Sequence, residues 1–149
     1  MKTCYQSPVG IIEIKEEDGY ISSVLIVPEI SEINSSPLLN EAVKQLGEYF
    51  SGTRKNFDLP LKQTGTSFQQ KAWDYLSTIP YGQTVSYKDE ATAISSPKAC
   101  RAVGSANGKK NIAIIVPCHR VVNEGKGMGG YAYGLPVKEF LLNLEKANI

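Results

Sequence analysis

With 149 residues, 42% hydrophobic and 21% charged, the chain has the composition of an ordinary globular protein and the length of one compact unit or two small domains. No apolar run is long enough to span a bilayer, and the N-terminus lacks a basic region followed by an apolar stretch, so no membrane association and a cytoplasmic location are expected. Three widely spaced cysteines (Cys4, Cys100, Cys118) form no disulfide framework, and a single histidine leaves no ordinary zinc ligand set, so no metal is expected. Net charge is only +1, but residues 66–149 carry ten Lys/Arg against six Asp/Glu. That imbalance reads either as a face for nucleic acid or as a chance feature of a solvated surface.

In chain order, Thr3 to Ser7, Gly10 to Lys15 and Tyr20 to Val27 read as strands, with Asp18-Gly19 a hairpin turn between the last two. Ser36 caps a helix with Pro37 at its first position. Its apolar stripe runs through Leu38, Leu39, Ala42, Val43, Leu46, Tyr49 and Phe50 to a stop at Gly52. This half is read as a small α/β domain over 1–62 without a catalytic constellation; Glu16-Glu17-Asp18 reads as a solvated turn. After a linker with Pro60, Thr66 or Ser67 opens a helix, each with Gln three residues on. Phe68, Ala72, Trp73, Leu76 and Ile79 are its buried face, and Pro80-Tyr81-Gly82 stops it.

Two short helices follow, one opening at Ser86, the other at Ser96 with Pro97 first and running to about Asn107-Gly108. The spacing suits a helix-turn-helix, as it does any αα-corner. Lys98 and Arg101 sit among the small residues Ala99, Ala102, Gly104, Ser105 and Ala106. Such a helix approaches either a neighbouring helix or a DNA groove closely. Ile112 to Val116 reads as a buried strand ended by Pro117. The next residues are Cys118, His119 and Arg120. A buried cysteine is commonly inert, but one beside the sole imidazole and a guanidinium, at a strand's end, is placed for a thiolate. A glycine-rich stretch, Asn123 to Tyr133, can bring backbone amides close to a ligand. Pro136 starts the last helix, with Val137, Phe140, Leu141 and Leu144 facing the core. Glu145 beside that stripe is either an end-of-core charge or the carboxylate that orients His119.

Five segments together resemble the O6-alkylguanine-DNA alkyltransferases, or methylated-DNA–protein-cysteine methyltransferases. They are Phe68-Gln69-Gln70-Lys71-Ala72-Trp73; Ile79-Pro80-Tyr81-Gly82-Gln83-Thr84-Val85-Ser86-Tyr87; Ala102-Val103-Gly104-Ser105-Ala106-Asn107; Ile115-Val116-Pro117-Cys118-His119-Arg120-Val121-Val122; and Leu141-Leu142-Asn143-Leu144-Glu145. The likeness is close over 66–149 and looser before it, where Ser7-Pro8-Val9-Gly10 and the strands carry it. It implies an α/β fold class: an N-terminal ribonuclease H-like domain (1–62) and a C-terminal, mainly helical, winged-helix-like domain (66–149) holding the site. It implies irreversible, cofactor-free, single-turnover transfer of the alkyl group from O6-methylguanine, and also O4-methylthymine, to Cys118. His119 would be the base through a bridging water, Glu145 its orienter, and Tyr87 the donor to the leaving guanine. The carbonyls of Cys118 and Val121 would read the flipped base in a pocket with Tyr131, Ala132 and Tyr133. Ser86, Ala99, Arg101 and Gly104 would meet the minor groove of double-stranded DNA, with Arg101 entering the duplex, and the protein would act as a monomer.

The chemistry of the residues agrees with these roles. Adjacent side chains of an extended segment point apart, which favours a water relay between Cys118 and His119. The thiolate is the reacting form, guanine leaves only if its developing charge is stabilised, and its alkylated atom is out of reach in a stacked duplex. Other readings are a lesion-binding protein that does not transfer and a Cys-His hydrolase. The chain departs from the family pattern at three places. Lys110-Asn111 replaces a usual Asn-Pro pair, with Asn111 a substitute for the lost tie if the backbone shifts. Glu90 replaces leucine. Tyr131-Ala132-Tyr133-Gly134 replaces Tyr-Ser-Gly-Gly, from which a narrower pocket that rejects benzyl groups is expected.

Overall fold

The computed structural model describes residues 1–125 and 127–149; Lys126, within the glycine-rich stretch, lies outside the described residues. The chain divides into two compact units. The first is Met1–Gln63 with Asn111–Ala113 and Asn148, and the second is Thr64–Lys110 with Ile114–Ala147 and Ile149. Neither is a single stretch of chain, unlike the contiguous domains expected from the sequence.

In the first unit, β1 (Lys2–Ser7), β2 (Gly10–Glu17) and β3 (Tyr20–Val27) form an antiparallel sheet in that order. The β2–β3 turn is Asp18-Gly19, with φ of 52° and 82°. Both residues at positive φ is the backbone that two-residue hairpins require, and Asp-Gly tolerates it. The buried face of the sheet is Ile12, Ile14, Ile21 and Val24. Helix α1 (Pro37–Phe50) packs on it through Leu39, Ala42, Leu46 and Tyr49, and the Ser36 hydroxyl accepts the Leu39 N–H at 3.1 Å.

The stretch Ile112 to Val116 is buried as expected, apart from the half-buried Ile115, but it is not a strand. Only Ile112 makes a bridge, to Val24; the backbone then turns through residues 113–115, with Ile114 at a φ of 68°. An apolar run shows that a segment is inside, not which backbone it adopts there. Asn111 is exposed and its carbonyl accepts the Val24 N–H at 2.7 Å.

The second unit holds α2 (Ser67–Leu76), β4 (Val85–Ser86), α3 (Tyr87–Ala93), α4 (Cys100–Lys109), a 3-10 turn (Cys118–Arg120), β5 (Val121–Val122) and α5 (Leu135–Ala147). Strands β4 and β5 pair in parallel, which ties the entry of α3 to the segment after Cys118. Two capping boxes start helices: Thr66 with Gln69 on α2, and Ser86 with Asp89 on α3. Each satisfies two backbone donors that a helix start leaves open. Trp73 is 2% exposed and donates its indole N–H to the Ala106 carbonyl at 2.8 Å, fixing α2 against α4.

Helix α4 starts at Cys100, three residues later than the sequence suggests. Ser95 takes a φ of 63° and Ser96-Pro97-Lys98-Ala99 closes a turn through the Ala99 N–H and the Ser96 carbonyl (2.9 Å). Proline as the second residue of a turn suits its fixed φ as well as the start of a helix does. The buried stripe of α5 is Lys138, Leu141 and Glu145, while Phe140 is 39% exposed. Lysine therefore takes a place expected of an apolar residue.

Candidate active site

Cys118 does not lie in an extended segment. It is the first residue of the 3-10 turn, with its N–H on the Val116 carbonyl (2.9 Å), and the Arg120 N–H on the Pro117 carbonyl (3.1 Å). Successive side chains of such a turn still diverge, by about a third of a revolution. Cys118 lines a cavity of about 490 Å³, while His119 is wholly buried and does not. Around the cavity stand Tyr87 at the start of α3, Arg101 and Gly104 on α4, and Tyr131 and Ala132 of the glycine-rich stretch.

Behind the turn is a closed charge cluster. His119 Nε2 is 2.6 Å from Glu145 Oε2, Arg120 Nε donates to Oε1 at 2.8 Å and Arg120 Nη2 to Oε2 at 3.0 Å. Arg120 Nη1 also donates to the Ile79 carbonyl (2.7 Å), and its guanidinium lies 5.6 Å from the centre of the Tyr81 ring. Burial works against the Glu145 charge, but the hydrogen bonds and charges of His119 and Arg120 outweigh it and hold the carboxyl down at about 2. For His119, burial dominates and lowers its affinity for a second proton, against the opposing pull of Glu145. A neutral imidazole facing a carboxylate carries its proton on Nε2, because a carboxylate only accepts. Nδ1 is then a lone pair. It is buried and has no protein hydrogen-bond partner among the described residues, so it is free to accept a proton.

Tyr87 donates to the Gly130 carbonyl at 3.3 Å. Burial, followed by the nearby Cys118, raises the tyrosine above its ordinary value, so it holds its proton at neutral pH. Gly129 has a φ of 72°, and a Cβ there would stand 2.7 Å from the Tyr87 ring, so a side chain is excluded both by backbone and by space. At Gly104 of α4 a Cβ would stand 3.8 Å from the same ring.

Several expected site residues lie off the cavity. Val121 is fully buried; its N–H donates to the Cys118 carbonyl, and its own carbonyl accepts Lys138 Nζ at 2.6 Å. Tyr133 does not line the cavity. Its ring meets that of Tyr131 edge-on at 5.8 Å, so any narrowing is through Tyr131. Ser86 is occupied as the cap of α3, and Ala99 is half-buried at the start of α4. Glu145 lies 1% exposed behind His119.

Three residues that the sequence reading did not assign a role belong here. Arg120 clamps Glu145 as described. Lys138 donates to the Val121 and Gly130 carbonyls (2.6 and 3.0 Å); burial, only partly offset by the nearby Cys118, pulls it down to about 8. Its signal was present, since Lys138, Leu141 and Glu145 follow helical spacing on one face. Lys110, at the end of α4, donates to Cys118 Sγ at 2.7 Å.

No group of three or more histidine, cysteine or acidic side chains among the described residues could hold a metal ion. No helix among them is long and apolar enough to cross a membrane.

Comparison with known proteins covers both units of the chain. Residues 67–147 match the family described as 6-O-methylguanine DNA methyltransferase, DNA binding domain, and residues 1–63 match its ribonuclease-like domain. The constitutive methylated-DNA–protein-cysteine methyltransferase of Bacillus subtilis (strain 168) is 44% identical over 155 residues, covering 97% of this chain and 94% of its own. That of Methanosarcina acetivorans is 44% identical, covering 95% of both. A crystal structure of Mycobacterium tuberculosis OGT in complex with DNA superposes with a TM-score of 0.90 at 40% identity, covering 97% of this chain and 92% of that one. The chain belongs to the 6-O-methylguanine DNA methyltransferase family.

Proposed function

We propose that the protein repairs DNA by moving a methyl group from O6-methylguanine, and from O4-methylthymine, onto Cys118, once per molecule. The observation that carries this reading is the cavity lined by Cys118 and Tyr87, with a closed His119–Glu145–Arg120 cluster behind the cysteine turn. The sulfur is inside a pocket and a stacked base is inside a duplex, so the base must be flipped to reach it. Arg101 would enter the minor groove and fill the gap; its exposure at the first turn of α4 and its place on the cavity lining support this. Ser86 caps α3, Ala99 precedes α4 and Gly104 lies on it, small residues that allow close approach.

The thiolate forms as the thiol proton passes through a water to His119 Nδ1. The sulfur attacks the methyl carbon; the S–C bond forms as the C–O6 bond breaks, and the electron pair stays on guanine. Guanine gains one proton for the one the thiol lost, with Tyr87 donating to it as its charge develops. A dialkyl thioether has no good leaving group, so Cys118 is not regenerated. The Cys118 carbonyl, which accepts the Val121 N–H, keeps a second lone pair for the base.

Duplex DNA bearing O6-methylguanine, incubated with the protein and followed by mass analysis of its peptides, tests this. One added methyl on Cys118 in a stoichiometric burst is expected, with transfer lost and DNA binding kept in Cys118→Ala. Binding without any mass change would instead make this a lesion-recognition protein. A methyl on Cys4 or Cys100 would move the acceptor.

A further inference from the structure

We propose that Lys110 is a catalytic residue of this chain: its ammonium is the counter-ion that keeps the Cys118 sulfur a thiolate before DNA arrives. The proposal rests on Cys118 being the methyl acceptor. Lys110 is the residue at which α4 ends; its ψ of 147° turns the chain out of the helix and the residue is 8% exposed. Its Nζ is 2.7 Å from Sγ. An ammonium offers only donors, and a thiol sulfur is a weak acceptor, whereas a thiolate is a strong one. A lysine buried without an anion is costly, so the pair is self-consistent as ammonium and thiolate.

The other charged or titratable groups around the sulfur do not fill this role. Lys138 of α5 spends its Nζ on the Val121 and Gly130 carbonyls. Tyr87 of α3 and Tyr131 of the glycine-rich stretch keep their protons. His119 is held neutral, with Glu145 and Arg120 turned to each other behind it. Around Lys110 the sulfur, Glu90 of α3, the Tyr131 ring at 6.0 Å and His119 complete the set. Glu90 is buried, bound to Asn107 and within electrostatic reach of Lys110. The two departures at 90 and 110 thus form one buried charge arrangement, and Lys110 rather than Asn111 ties the end of α4 to the cysteine turn. The division of labour follows: the thiol proton passes by way of His119 to solvent, which leaves the imidazole neutral, and Lys110 holds the anion. Transfer then consumes that anion, because the product thioether is neutral.

The test is the pH profile of Cys118 labelling by iodoacetamide, read by mass on the peptide ending at Arg120, with Cys4 and Cys100 as controls in the same sample. In the unaltered protein, Cys118 keeps most of its pH 8 rate at about pH 6, where an ordinary thiol loses nearly all of it. A fall in parallel with Cys4 and Cys100 overturns the proposal without any variant. Lys110→Met raises the midpoint of the profile by about one pH unit or more, the shift expected on losing an adjacent opposite charge. An unmoved midpoint overturns it. Glu90→Gln/Lys110→Met removes both buried charges, which safeguards folding, and its midpoint stays raised. Its return to the original value would assign the effect to Glu90 and overturn the proposal. Methyl transfer from O6-methylguanine DNA, measured separately, reports on the acceptor itself, so the two readings fail independently.

Discussion

Two glutamates of the second unit, both removed from solvent, titrate in opposite directions. Glu145 of α5 is held at about 2 and Glu90 of α3 is pushed up to about 7. Burial acts on both in the same sense, raising them. The difference is in the partners. Glu145 meets a bidentate guanidinium and an imidazole, so both oxygens are bound. Glu90 meets one amide, Asn107 Nδ2 at 2.7 Å, and its second oxygen has no partner among the described residues. Lys110 assists only at a distance. At similar burial, a carboxylate is therefore fixed as an anion by the donors and the positive charge that reach it.

Removing the charge at position 145 gives the largest effect. Glu145→Gln keeps the volume but leaves Arg120 as a buried cation without its anion, and a loss of about 3–5 kcal/mol is expected. The sign against pH is fixed by the lowered value. Glu145 adds stability above its ordinary 4.5, and that contribution disappears as pH falls from 4.5 toward about 2. His119, held neutral, adds to the same loss below its ordinary 6.5, because only the unfolded chain takes up the proton. Urea unfolding at several pH values checks this. Glu145→Gln flattens the acid limb, and a limb as steep as in the unaltered protein would detach Glu145 from the stability of the turn.

Glu90 predicts the reverse slope. Its folded value is raised, so the folded state keeps a proton that the unfolded state has released between 4.5 and about 7. Stability falls as pH rises through that window. At about 1.4 kcal/mol per unit the full effect is on the order of 3 kcal/mol. Glu90→Gln removes the titration, so the variant gains on the unaltered protein at pH 8 and gains nothing of this kind at pH 4. An equal difference at both pH values would mean that Glu90 does not change protonation on folding.

What could be read from the sequence follows the range of the interactions. Asp18-Gly19, the Ser36 cap and the Thr66–Gln69 box are satisfied within a few residues and stand in the structure as expected. Cys118, Tyr87 and Arg101 are also brought to one cavity. The misreadings are of another kind. Ile112 to Val116 gave burial but not backbone, and Pro97 suited a turn as well as a helix start. Lys110 was visible as a departure, but its partner is a sulfur eight residues on, across a turn that periodicity does not describe. Lys138 and Arg120 bind distant carbonyls and a distant carboxylate, and residue type alone does not choose among such partners.

The finest test of the comparison is at Asn107, the single amide donor to Glu90. Asn107→Ala leaves the carboxylate without it. A hydrogen bond to a charged acceptor contributes about 1.5–3 kcal/mol and one to a neutral acceptor about 0.5–1.5. The loss is therefore larger at pH 8.5, where Glu90 is ionised, than at pH 5.5, where it is protonated, by roughly 1 kcal/mol. The cavity left by the amide costs the same at both pH values and cancels in the difference. Glu90, relieved of its donor, also titrates above its present value of about 7. Urea unfolding of the variant at the two pH values measures the difference. An equal loss at both would show that Asn107 binds the protonated acid as well as the anion. Donor count would then explain Glu145 but not Glu90, and Lys110 would remain as what limits the rise of Glu90.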